Sequence, residues 1–167
     1  MWLHYGKNPD QLDFLKTLGG YDYHKLDNDD DYNAFYLHTR IQFYINQDIF
    51  RCWLLLATDK NYYDRSEFLK KLRNNQVEQD RLFNIVLPLF DQGFFYEIDS
   101  AMLKLQTGLS KQQFINFVRK DRGGVYSGIV KEYQPNDPLL SIQNIGNEMI
   151  HNLTLLYPLY DFMAWRP

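Results

Sequence analysis

The sequence predicts an all-α protein, a single-domain helical bundle of roughly five to seven helices. Three observations predict it. Apolar residues recur at three- and four-residue steps along most of the chain. Helix start and stop signals punctuate it. No segment sustains the period-two alternation of a half-buried strand. The 167 residues suffice for one core and not comfortably for two, and 13 Tyr, 12 Phe and 3 Trp supply that core with large side chains.

Residues 1–31 form a less regular, acidic N-terminal segment. Within it "NPDQLDFLKTLGG" predicts a short helix stopped by Gly19 and Gly20. The acidic run Asp27, Asp29, Asp30 and Asp31 then leads into a helix N-terminus, where the dipole favours negative charge. Over residues 32–58, Ala34, Leu37, Ile41, Ile45, Ile49, Cys52 and Leu56 make one apolar stripe of a long helix. In "NYYDRSEFLKKLRNN", Asp64 or Ser66 caps a short helix with Phe68, Leu69 and Leu72 inward. "VEQDRLFNIVLPLF" restarts a helix that Pro88 kinks or breaks, and Gly93 marks a second break before "FFYEIDSAMLKLQ". Ser110 and Gln113 match a capping box for a helix that buries Phe114, Phe117 and Val118 and stops at Gly123 and Gly124. A short helical segment follows over residues 125–133. Asp137 and Pro138 open the last long helix, which runs to about Leu156, ahead of Pro158.

The net charge of −3 argues against a domain that binds nucleic acid by being basic overall. The single cysteine, Cys52, excludes an intrachain disulfide and a Cys-rich zinc site, and reads as a small core residue. "MWLHYGKNPD" lacks a basic stretch followed by an apolar run, so it is not a secretory signal. The longest apolar run, "CWLLLA", is far too short to cross a bilayer. The expectation is a cytoplasmic protein with no cofactor and no membrane association.

Familiar catalytic and metal motifs fail on inspection. "DNDDD" starts like a calcium loop, but Tyr32 stands where the glycine of position 6 belongs and His38 where the glutamate of position 12 belongs. The Gly-Gly pairs match neither phosphate-binding pattern. His4, His24, His38 and His151 are scattered, without an H-E-x-x-H, so no zinc site is expected. His38 and Asp48 fall near the edge of the apolar stripe. They read as a hydrogen-bonded interior histidine and a partly buried carboxylate, or as the border of a functional cleft.

The stretch "NIGNEMIHN" comes closest to chemistry. On a helical wheel Ile142, Ile145, Gly146, Met149, Leu153 and Leu156 share one face, and Asn144, Asn147, Glu148 and His151 the other. Gly146 on the apolar side would let a neighbouring helix approach. Asn147 and His151 stand one turn apart and can touch. Two amides, a carboxylate and an imidazole could do acid–base work, bind a ligand or simply face solvent.

"GNEMIHN" on a late helix resembles the motif region of the HEPN superfamily. That superfamily contains RNases and nucleic-acid-linked proteins of bacterial conflict systems, built on a helical bundle that often dimerises. Its catalytic members carry an arginine, commonly followed by a polar residue, and a histidine a turn or more further on. Asn147 and His151 match the polar residue and the histidine, whereas Gly146 occupies the arginine position. The resemblance implies RNase chemistry at His151, Asn147 and Glu148, and the missing cation implies a non-catalytic member, because the charged transition state then lacks its partner.

Charge is uneven. The acidic N-terminal segment suits docking on a basic protein surface. Asp27, Asp29, Asp30, Asp31, Tyr32, Tyr62 and Tyr63 are the candidate partner-binding residues. The basic run Arg119, Lys120 and Arg122 reads as a helix C-terminus favourable to cations, or as a local nucleic-acid contact. The expected function is a non-enzymatic protein-binding domain of the immunity, antitoxin or inhibitor type in a bacterial conflict system. A HEPN-like RNase or RNA-binding component, with homodimerisation, is the second reading; an accessory subunit of a larger complex is the third.

Overall fold

The computed structural model describes residues 2–5, 38–56, 63–123 and 126–164. They form a mixed α/β architecture, which corrects the all-α expectation of a helical bundle. Strands β1 (Trp2–Tyr5), β2 (Arg40–Ile45), β3 (Phe50–Leu55), β4 (Phe94–Ile98), β5 (Ala101–Lys104) and β6 (Ser127–Tyr133) make a 6-stranded sheet in the order β1-β2-β3-β6-β4-β5. Every neighbouring pair is antiparallel. Helices α1 (Tyr63–Asn74) and α2 (Gln76–Val86) lie between β3 and β4 in the chain, α3 (Lys111–Val118) between β5 and β6, and α4 (Ile145–Met163) after β6.

The described part of the helix expected over residues 32–58 is the hairpin β2–β3. Helical and strand spacing share residues here: Ile41, Ile45 and Cys52 fit both. Ile41, Phe43 and Ile45 line one face of β2, opposite Leu54, Cys52 and Phe50 of β3. The alternation is masked because the opposite face is not uniformly exposed: Arg40, Gln42 and Leu55 are buried there too. Asn46 closes the turn, its Oδ1 accepting from the backbone N–H groups of Asp48 and Ile49 at 2.9 and 2.8 Å.

Two further helical expectations are corrected in the same way. "FFYEIDSAMLKLQ" folds into the hairpin β4–β5, whose tight turn places Asp99 at φ 55°. Most of residues 125–133 is strand β6, pairing β3 with β4 at the centre of the sheet. Gly128 makes that pairing feasible: a Cβ on it would lie 2.0 Å from the Leu54 carbonyl oxygen.

The helix signals in the other segments survive in part: Asp64 and Ser66 lie inside α1 and do not cap it, and the Asp64 carboxylate accepts instead from the Thr39 N–H at 2.8 Å. Asn75 caps α2, accepting from the Glu78 N–H at 3.2 Å. The Ser110–Gln113 capping box opens α3, which ends at Val118, ahead of Gly123. Pro88 sits in a short 3-10 turn, Leu87–Leu89, that ends the α2 segment. Asp137 caps a second 3-10 turn, Pro138–Leu140, but the last α-helix starts only at Ile145 and continues through Pro158.

One core lies between the inner face of the sheet and the helices. Phe68 and Leu72 of α1, Leu82 and Val86 of α2, Phe114 and Val118 of α3, and Leu156, Leu159 and Phe162 of α4 join Ile41, Cys52, Leu54, Tyr96 and Ile129. Edge-on ring contacts join sheet to helix, where Tyr96 meets Phe114 at 5.9 Å, and helix to helix, where Phe68 meets Phe162 at 6.2 Å. Burial of each such side chain contributes about 2 kcal/mol.

Candidate functional site

α4 carries the stretch "NIGNEMIHN", and its placement on β2 and β3 decides which side chains are usable. The helix turns Glu148, Asn152, Leu156, Leu159 and Tyr160 inward. Glu148 therefore leaves the group with Asn147 and His151, and the wheel is corrected by about one residue step. The apolar residues misled it, since Ile142 lies before the helix and is 89 % exposed. Gly146 is exposed, with nothing within 4 Å of an added Cβ, so it admits no neighbouring helix.

Beneath α4 a polar network replaces apolar contact. Glu148 Oε1 accepts from Lys131 Nζ at 3.0 Å and from the Tyr133 hydroxyl at 2.5 Å. Asn152 Nδ2 donates to the Tyr133 oxygen at 2.5 Å and to Glu148 Oε1 at 3.3 Å. Lys131 also lies against the rings of Phe94 and Tyr133, at 5.4 and 4.9 Å. Burial alone would raise the Glu148 pKa, but the hydrogen bonds from Tyr133 and Lys131 and the lysine charge outweigh it and hold the carboxyl below its usual range. Burial, aided by the Glu148 carboxylate, pushes the Tyr133 phenol far up. Cys52, paired with Lys131 across the strands, has its thiol pushed up by burial, so it stays protonated and inert as a nucleophile. This cluster holds a helix onto a sheet, and its only anion is already neutralised.

The outward side of α4 is different. Asn147, Ile150, His151, Thr154, Tyr157 and Asp161 are exposed. Ile150 is 65 % exposed, and Leu139 and Ile142 stand exposed just before the helix. Asn147 and His151 sit together on this mixed apolar and polar face, as expected.

The remaining candidates are dispersed. His38 is buried and Asp48 is exposed in the β2–β3 turn, so the two do not border one cleft. Arg119 donates to the Leu72 carbonyl from Nη2 at 2.8 Å and caps the C-terminal end of α1. Lys120 lies over the Phe117 ring, and Arg122 donates to the Arg119 carbonyl at 3.0 Å. Asp27, Asp29, Asp30, Asp31, Tyr32 and Tyr62 lie outside the described residues, as does the side chain of Tyr63 at the start of α1.

Sequence reasoning missed Lys131, Tyr133 and Asn152. Lys131 and Tyr133 share a face only on a strand, and residues 125–133 read as a helix. It also missed a fully buried ion pair between Arg65 of α1 and Asp121 after α3. Asp121 Oδ1 accepts from Arg65 Nε at 3.1 Å and from the Gly123 N–H at 2.9 Å. Charges buried this deeply persist only when paired. Among the described residues, no group of His, Cys, Asp and Glu could hold a metal ion, and no helix is long and apolar enough to cross a membrane. No family model, no characterised protein and no solved structure matches the chain.

Proposed function

We propose that this chain is a non-enzymatic protein-binding domain of the immunity, antitoxin or inhibitor type, acting in the cytoplasm on a basic protein partner. The observation that carries the reading is the outward face of α4. Ile150 and Tyr157 are exposed there with Asn147 and His151, and Leu139 and Ile142 are exposed in the segment that leads into the helix. Apolar residues exposed on this helix and just ahead of it, beside an amide and an imidazole, suit recognition of another protein. The part-buried Lys131–Glu148 contact holds that helix from below, so little order need be gained on binding. Acids and bases are balanced among the described residues. The acid surplus therefore belongs to the rest of the chain, where Asp27, Asp29, Asp30 and Asp31 cluster. That surplus sets the sign of the partner and speeds its encounter.

The test is binding reconstituted from purified components, after affinity capture has supplied a basic candidate partner. Ile142→Glu with Ile150→Glu should weaken binding at least about tenfold, as loss of a central anchor does. Asp29→Lys with Asp30→Lys should slow association and flatten its salt dependence. His151→Ala should bind normally. Unchanged affinity in both charge-altered pairs would sink the reading. So would RNA loss in expressing cells that His151→Ala abolishes, the outcome demanded by a HEPN-like RNase. Recovery of the chain only as a fixed-stoichiometry member of a large assembly would favour the accessory-subunit reading instead.

A further inference from the structure

The C-terminal ends of α1 and α3 meet through Arg119. Its guanidinium donates to the Leu72 carbonyl from Nε at 3.3 Å and from Nη2 at 2.8 Å, and to the Arg73 carbonyl. Two basic runs that are distant in the sequence, Lys70 and Arg73 on α1 and Lys120 and Arg122 after α3, are thereby brought beside one another. All four are exposed. Lys70 has one acidic neighbour, Glu67, at 3.4 Å across exposed surface, where such a pair neutralises little. Lys71 is not part of this surface, because its Nζ turns to the Phe162 carbonyl at 3.4 Å.

Helix C-termini ordinarily repel anions through their free carbonyls. Here that end of α1 is covered. The Leu72 carbonyl accepts from Gln79 Nε2 at 2.9 Å as well as from Arg119. Two of the free carbonyls at that end, those of Leu72 and Arg73, are thus turned to Arg119 and not toward an approaching anion. Exposed amides flank them: Asn74 follows Arg73, and Asn116 stands one turn before Lys120. Protein interfaces are depleted in lysine and enriched in aromatic residues. Arginine is common to both kinds of surface, but the two lysines and the flanking amides here complete the Lys, Arg and Asn set that contacts phosphate and sugar.

We propose that the Lys70–Arg73–Lys120–Arg122 surface binds the phosphate backbone of nucleic acid, without reading its sequence. The surface lies on elements other than α4, so this inference stands or falls separately from the protein-docking reading.

Fluorescence anisotropy of a labelled single-stranded RNA with the intact chain tests it. Binding should weaken roughly 15- to 20-fold between about 50 and about 200 mM salt, as about three phosphate contacts require. Arg73→Glu combined with Lys120→Glu should lose at least about tenfold more, since each reversed charge removes a contact and adds repulsion. Lys104→Glu, on the edge strand β5, should stay within about twofold. Circular dichroism of both variants should match the parent, because the replaced side chains are exposed. Absence of binding at the lower salt, or an equal loss in Lys104→Glu, would overturn the proposal. Displacement of the RNA by polyglutamate as efficiently as by unlabelled RNA would overturn it too, and would point to an acidic protein ligand.

Discussion

At the scale of residues, Glu148 shows how a side chain that resembles catalytic equipment can be structural. It is a carboxylate beneath a helix, satisfied by Lys131, Tyr133 and Asn152. Its pKa in the folded chain lies below the ordinary value of 4.5. It therefore contributes stability that is present above the unfolded-state value and is lost as pH falls through the folded one. Urea unfolding should show a stability loss below about pH 4.5 that is shallower in Glu148→Gln. Glu148→Leu or Lys131→Met alone should cost about 3 kcal/mol, because each strands a buried charge. The double replacement should cost clearly less than the sum of the two, and a double-mutant cycle measures the difference. Gly128 is as sensitive for a different reason. Gly128→Ala drives a Cβ into the Leu54 carbonyl oxygen and should lower stability by about 2 kcal/mol or more, seen as a drop in Tm.

At the scale of elements, the sequence told helices and strands apart only where local chemistry marks an end. The Ser110–Gln113 box is such a mark, and Ser110→Ala should cost about 1 kcal/mol in thermal unfolding. Asp137 is a weaker one, since it caps only a 3-10 turn ahead of the last helix, and Asn75, which caps α2, is a mark the sequence reading did not use. Strands carry no comparable end signal. Their evidence is alternation, and β2, β3 and β6 obscure it by burying residues on both faces: Gln42, Leu55 and Val130 as well as Ile41, Leu54 and Ile129. A central strand buried on both sides reads as an apolar run, which a helix also satisfies. The candidate site suffered from the same ambiguity one step later. Asn147 and His151 lie one turn apart on the exposed side of α4, but Glu148 could be assigned to the inner side only with β6 in place beneath it. Without β6 as a strand, neither Lys131 nor Tyr133 could be named as its partner.

At the scale of the whole molecule, the helices do not form a separable layer. α4 packs on β2 and β3, and α2 touches both α3 and α4. The buried Arg65–Asp121 pair ties the start of α1 to the segment after α3. Aromatic contacts such as Tyr96 with Phe114 join that helix to the centre of the sheet. With one core and buried charges bridging its parts, local loss of a helix would strand an ion or open the sheet face to water, so intermediate states are costly. The described residues should therefore unfold as one unit. Replacing Trp2 and Trp165 by Phe leaves Trp53 on β3 as the fluorescent reporter of the sheet, while far-UV circular dichroism reports the helices. The two urea transitions should coincide. Asp121→Asn should shift both midpoints together to lower urea, because Arg65 loses its counter-charge for the whole unit and not for one helix. Separated transitions, or a shift confined to the dichroism signal, would mean that the helices melt off a sheet that stands without them.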